Sequence, residues 1–318
     1  MAKVISHNIS KSQFILGIQC TKALWFYRNR PDLKTEIGEA QQVLFDQGNE
    51  VGRHAQDYFK GGIEVESEYW DIDGAIKKTG ELIKAGKSVI YEATARSPEG
   101  IYSKIDIFKK VKGKNEWDLI EVKGSTTLKD YHVWDMASQR LAFVGAGYKI
   151  RKSILMHVNN GYVRKGDLDI KQLFTFQDCT KEVIERQKHV EDILPDLLKV
   201  LKKGREPSVD IGSHCDNPFK CDYKEHCWSH VPEYSIYDVA SGKKLDELLS
   251  MGILNARDIP EGFSLGAKTL AVKSYQDNKV IVDAPTLKEW IQKLEYPLYY
   301  LDYETVGPAI PKFDGTSP

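Results

Sequence analysis

The chain has 318 residues, 41% of them hydrophobic and 29% charged, with a formal net charge of −1 at pH 7. That length accommodates about two domains of ~150 residues each. No apolar run approaches the ~20 residues of a membrane span, and the start, Met-Ala-Lys-Val-Ile-Ser-His, carries no secretory h-region, so the expected setting is cytoplasmic, away from membranes. A near-neutral balance neither demands nor excludes nucleic acid, because phosphate contacts need only a local basic surface.

In chain order, Ser10 is a natural N-cap for a helix over residues 10–26, and residues 35–59 carry helical periodicity with few breakers. Residues 88–95 alternate as a strand. A hairpin follows, from Ile101-Tyr-Ser-Lys-Ile-Asp106-Ile-Phe to Trp117-Asp-Leu-Ile-Glu121-Val-Lys123. Helical spacing returns over 131–144, a strand over 152–158, and a long helix over 181–203, bent near Pro195 and stopped by Gly204. The element order is α, β, β, β, α, β, an α/β pattern.

The hairpin carries the chemistry. Period-two alternation puts Ile105 and Ile107 on one face with Asp106 on the other, and places Glu121 and Lys123 on a common face. With Gly113-Lys114 as a two-residue turn, Asp106 falls directly opposite Glu121. Two facing carboxylates repel, unless a hard cation such as Mg²⁺ or Mn²⁺ lies between them and takes oxygen ligands. Seven lysines between Lys104 and Lys129 make the neighbourhood basic. Charged strand residues are also what a solvated face looks like, and lysines protect sheet edges.

The thiols form a second constellation. Cys215, Cys221 and Cys227 are separated by five residues each. In a reducing compartment such clustering favours a metal or cluster over disulfides. Cys179, alone after a strand, reads as buried packing.

Asp106 followed by Glu121-Val122-Lys123 resembles the D…ExK signature of PD-(D/E)XK nucleases of the RecB-like branch, and Tyr91-Glu92-Ala93, Asp135 to Gln139 and Tyr148 resemble its flanking motifs. The likeness covers residues 9–228. It implies a restriction-endonuclease-like core, a mixed sheet flanked by helices. It further implies that Asp106, Glu121 and the Val122 carbonyl hold Mg²⁺ or Mn²⁺, that Lys123 acts on the attacking water, and that Gln139 orients the centre or binds DNA backbone. Glu92 is a further candidate for the metal or a second ion. Tyr148 is an accessory candidate. One of Glu50 and His54, four apart on the helix over 35–59, would serve the metal, and the sequence leaves open which.

The same branch includes nucleases with one early and three late cysteines around a [4Fe–4S] cluster, which implies Cys20, Cys215, Cys221 and Cys227 as ligands. Relatives often space the late trio as C-x₂-C-x₅-C, whereas both gaps here are five. Zinc on four thiolates, or on a mixed set with His214 or His226, is the alternative.

Beyond the cysteines, residues 244–260 resemble half of a helix-hairpin-helix motif. Tyr296-Pro-Leu-Tyr-Tyr-Leu-Asp302-Tyr-Glu304 resembles the first motif of DEDD exonucleases with a ribonuclease-H fold. The expected organisation is a nuclease domain over 1–230 closed by the thiols, a helical linker over 231–295, and the truncated start of an exonuclease-like domain over 296–318. The expected activity is metal-dependent DNA hydrolysis, as an exonuclease on single strands or duplex ends. The alternative is a non-catalytic DNA-binding or scaffold module with the same fold.

Overall fold

Local signals at residue 10 set the architecture in motion. Ser10 Oγ accepts the Gln13 N–H at 3.1 Å and the Gln13 side chain accepts the Ser10 N–H at 2.9 Å, a reciprocal capping box. In the computed structural model, which describes residues 8–318, this box starts α1 (Lys11–Gln19), directly after the short strand β1 (Ile9–Ser10). The first seven residues, from which the absence of a secretory segment was read, lie outside the described residues.

The single helix expected over 10–26 is two. Cys20 adopts an extended conformation (φ −159°, ψ 115°) and separates α1 from α2 (Thr21–Asn29). Then come α3 (Glu39–Tyr58), β2 (Ile63–Glu64), α4 (Ile72–Lys84), β3 (Val89–Arg96), β4 (Ile101–Lys110), β5 (Trp117–Lys123), α5 (Asp130–Gly145), β6 (Ile150–Val158), α6 (Ile170–Leu173), β7 (Phe174–Asp178) and α7 (Thr180–Val200). Pro195 lies inside α7.

One mixed sheet runs β2-β3-β4-β5-β6-β7, with β1 added parallel to β4. The β3–β4, β4–β5 and β6–β7 pairs are antiparallel, and the β2–β3 and β5–β6 pairs parallel. The central α4-β3-β4-β5-α5-β6 order and the helical layers on both sides meet the expected restriction-endonuclease-like plan.

The turn between β4 and β5 is longer than expected, with the same register. Val111 N–H donates to Glu116 O at 2.9 Å and Lys114 N–H to Val111 O at 3.1 Å, so four residues form the loop and Gly113 (φ 75°) occupies the left-handed position. Pairing of Ile107 with Ile120 is retained.

Apolar side chains fill two buried layers. Phe14, Leu24, Phe108, Trp117, Phe143, Val183 and Leu197 belong to one, which covers the sheet with α1, α5 and α7. Val51, Ala55, Ile107, Ile120 and Leu173 belong to the other, under α3 and α6. Helix α1 approaches α7 closely because Gly17 has no side chain; a Cβ there would lie 2.8 Å from Leu197 Cδ1. This close packing fixes the helix that starts at Lys11.

Ile105 and Ile107, expected on one face, join different layers. On the neighbouring strand, Ile90 and Ala93, three apart, share the first layer while Tyr91 joins the second. Alternation is reset at the level of Glu92 and Asp106, where Glu92 has φ 54°. A left-handed residue inside a strand reverses the side to which the following residues point.

The chain divides into two compact units, Met1–Lys224 with Val306–Pro318, and Glu225–Thr305. Within the second, α9 (Ile236–Val239) follows α8 (Lys224–Cys227) and is capped by Ser235 and Asp238; α10 (Lys243–Ser250) and α11 (Thr269–Asp277) close a small core of Ile236, Leu248, Ala256, Ile259 and Val272. After α10 and the turn at Gly252 comes a 3₁₀ turn over Ala256–Asp258, not an immediate second α-helix. The apolar run 296–301, which the exonuclease resemblance would make a strand, forms none, and Tyr299 and Tyr300 are exposed. A strand needs a neighbour for its backbone groups, and none pairs with this run among the described residues. Nor is any described helix long and apolar enough to cross a membrane.

Candidate active site

Strand β4 has two partners on one side at different heights. β1 takes Ile101 and Tyr102, and β5 takes Ile107 to Lys110. Asp106 lies between them, where the two neighbours diverge. Extending the β4–β5 register by one residue sets it opposite Glu121, as the sequence leads one to expect. The Val122 N–H donates to Asp106 Oδ2 at 2.6 Å, which fixes the carboxylate beside β5. On the other side, Tyr91 pairs with Ile107 and Ala93 with Ile105, so Glu92 stands opposite Asp106. Three acidic residues thus occupy one level of three adjacent strands.

Glu121 is buried, at 2% exposure, and fully engaged. Its Oε1 accepts from Lys123 Nζ at 2.7 Å and from Lys11 Nζ at 3.0 Å. Its Oε2 accepts from Gln139 Nε2 at 2.5 Å. Asp135 Oδ2 accepts from the same two ammonium groups, at 2.8 Å from Lys123 and 3.3 Å from Lys11. Helix α5 therefore supplies both Asp135 and Gln139 from one face, four residues apart.

The charges are strongly perturbed. Burial alone would raise the Glu121 carboxyl, but Lys11, Lys123 and the bond from Gln139 outweigh it and hold the group below the usual carboxylate range. Burial and the neighbouring Glu121 charge push Asp106 well above that range. Burial also raises Glu92. Burial works against the Lys123 ammonium, yet Glu121 and Asp135 keep it charged and raise it well above its ordinary value. Nearby, burial and then Lys123 lower the His132 imidazole to about 4, so it is neutral at pH 7.

Lys11 is the participant that sequence patterns missed. It lies 110 residues from Glu121 in the chain. A signal was present: a lysine in the first turn of a helix opposes the helix dipole by ~0.3–1 kcal/mol, and α1 has no acidic residue in that turn. Such a misplaced cation calls for an anion, and β1 delivers it to one.

Two further candidates sit on α3, the helix that packs against β5. Glu50 and His54 lie on α3, whose Val51 and Ala55 face the second layer; His54 Nδ1 is 3.7 Å from Asp57 Oδ2. Among the described residues, no hydrogen bond or salt bridge joins Glu50 or His54 to Asp106 or Glu121. Tyr148 packs its ring against Phe108 and Phe143, with centroids 5.5 and 5.9 Å away, on the first core layer. Cys179 is buried in that same layer.

In the first unit, the junction of α1 and α2 that bears Cys20 is tied to the loop bearing Cys215 and Cys221. Gln19 Nε2 donates to His214 O at 2.8 Å and to Phe219 O at 2.7 Å, and Cys221 N–H donates to Cys215 O at 2.8 Å. Trp25 Nε1 donates to Lys203 O at 2.8 Å. Cys227 belongs to the second unit.

Among the described residues, no three His, Cys, Asp or Glu side chains are gathered into a ready metal cage. The donor chemistry at the strands nevertheless suits a hard divalent cation, since the acids supply oxygens and Asp106 has no ammonium within salt-bridge distance among the described residues.

No protein-family model matches the chain, and no curated protein matches it. The similar solved structures include an alkaline exonuclease from Laribacter hongkongensis, LHK-Exo, at 12% identity with a TM-score of 0.33 over 62% of this chain and 92% of that one. A second structure, of LHK-Exo in complex with dAMP, gives 12% identity and a TM-score of 0.35 over 62% and 91%.

Proposed function

We propose that this chain is a metal-dependent deoxyribonuclease. The observation that carries the reading is the convergence of Asp106, Glu92 and Glu121 at one level of the sheet, with Lys123 bonded to Glu121. An acidic cluster serving stability alone would be saturated with cations, whereas Asp106 has no ammonium within salt-bridge distance among the described residues.

Asp106, Glu121 and the Val122 carbonyl, with Glu92 beside them, would hold Mg²⁺ or Mn²⁺, which would supply Lewis-acid polarisation of the scissile phosphate and a more acidic water. Gln139 fixes Glu121 by its Oε2, so the carboxylate keeps one orientation. Lys123 stays protonated, pinned between Glu121 and Asp135, and presents its ammonium to the charge that develops on a phosphoryl group in flight. Lys11 adds a second positive charge. Hydrolysis from strand ends, as an exonuclease, follows from the family resemblance and is part of the proposal. So is a [4Fe–4S] cluster on Cys20, Cys215, Cys221 and Cys227, with zinc as the alternative; the clustering of one early and three late thiols supports a shared ligand, while the two five-residue gaps depart from the relatives' spacing. A structural clip of that kind stabilises by closing a very long loop.

Digestion of single- and double-stranded DNA in Mn²⁺, by the parent protein beside Lys123→Ala and Asp106→Ala, tests the centre. Loss of cleavage in both variants supports it. Equal digestion by all three proteins removes this site from consideration and favours the non-catalytic DNA-binding module.

A further inference from the structure

Next to the lysine pair lies an open cleft of about 570 Å³, bounded by α1, Phe45 of α3 and the loop over 219–222. Lys11, Lys123 and Asp135 form one end of it, so the cleft opens onto the proposed centre. Three aromatic rings line the rest, and each stays about half exposed: Tyr27 at 46%, Phe45 at 45% and Phe219 at 45%. Large apolar rings are ordinarily withdrawn from water, so three around one cleft indicate a ligand with flat apolar faces.

The rings are interleaved with cations. Lys34 and Lys220 line the same walls, and the two carboxylates present are engaged, Asp135 by Lys11 and Lys123 and Asp222 by Lys34 at 3.0 Å. The surplus is positive. Phe219 is also held in place: its carbonyl accepts from Gln19 Nε2 at 2.7 Å, and its ring meets the Tyr131 ring edge to face at 4.6 Å. Anchored rings cost little entropy when they bind.

Alternating rings and ammonium groups beside a phosphodiester-cleaving centre match one class of ligand. We propose that this cleft binds the unpaired end of a DNA strand, with Phe219, Tyr27 and Phe45 stacking its bases and Lys220 and Lys34 meeting its phosphates. A base offers its face to a protein ring only when it is out of the duplex, so single-stranded ends are the substrate this cleft selects. The inference rests on the nuclease reading for the identity of the strand, but its test does not require cleavage.

Fluorescence anisotropy of labelled oligothymidylate, in EDTA so that nothing is cut, reads the cleft directly on the full chain. Phe219→Ala is expected to weaken binding about tenfold, the effect of losing one base stack. Phe219→Tyr should restore it. An abasic oligomer of equal length and charge should bind the parent protein about tenfold more weakly than oligothymidylate, a comparison that needs no variant to fold. Blunt duplex should bind Phe219→Ala and parent alike. Equal affinity for abasic and thymidylate strands, or equal affinity of parent and Phe219→Ala for thymidylate, overturns the proposal. The Mn²⁺ digestion is read separately: stacking-dependent binding without cleavage sinks the nuclease reading alone, and cleavage without stacking-dependent binding sinks the cleft alone.

Discussion

Lys11 Nζ and Glu121 Oε1 meet at 3.0 Å, one at the start of the first helix and the other near the end of a central strand. The carboxylate is buried, so its partner is worth far more than an exposed ion pair would be. Lys123 and Gln139 remain when Lys11 is lost, which limits the damage. Lys11→Met should therefore lower unfolding free energy by about 1–3 kcal/mol, read by urea melts. A melt unchanged within error would show that the contact contributes nothing.

Asp106 carries a pH dependence of definite sign. Its unfolded carboxyl titrates near ~3.9, and burial with the Glu121 charge raises it in the fold. Between those values the folded chain keeps a proton that the unfolded chain has lost. This contribution to the metal-free protein is complete below the unfolded pKa and is lost as pH rises through the folded one. The parent should therefore lose stability relative to Asp106→Asn as pH rises above about 4, and Mn²⁺ should restore it in the parent only. Parallel stability curves for the two proteins would contradict the assignment.

His132 titrates with the opposite consequence. It is buried, its Nδ1 accepts the Lys129 N–H at 3.1 Å, and its folded pKa lies at about 4. As pH falls from the unfolded value of ~6.5 towards the folded one, the unfolded chain takes up a proton that the fold refuses, so stability drops by roughly 1–3 kcal/mol. His132→Gln should flatten that part of the curve, and an unaltered acid slope would count against it.

Glu92 holds a left-handed conformation that a side chain disfavours. Glu92→Gly should be more stable than Glu92→Ala by about 1 kcal/mol, because only glycine adopts that φ freely. Both should lower Mn²⁺-dependent cleavage if the third carboxylate serves the centre. Thermal melts of the pair decide the backbone point independently of activity.

The thiols give a spectroscopic prediction. Anaerobically purified protein should be brown, with broad absorbance near ~400 nm that Cys215→Ser and Cys221→Ser abolish together with the iron content. Colourless protein containing zinc would select the alternative ligand.

Much of the first unit was legible because its signals are local. Ser10 and Gln13 are three residues apart, and the spacing of Asp135 and Gln139 fixes their common helical face. The register that sets Asp106 against Glu121 survived an error in turn length, since alternation with one buried face allows few slips. Glu92 defeated the same rule. A non-glycine residue at positive φ leaves no mark in the hydrophobic pattern, so the switch of Ile107 to the second layer was invisible.

The sequence by itself determined the helices α3, α5 and α7, the strands of the hairpin with their pairing, and the acids that face each other across it, through periodicity and capping that act within a few residues. Tertiary structure alone decided that Lys11 reaches Glu121 and that Tyr27, Phe45 and Phe219 share one cleft. Those relationships depend on where β1 joins β4 and on which layer each helix covers. Packing of segments far apart in the chain sets both, and no local pattern encodes it.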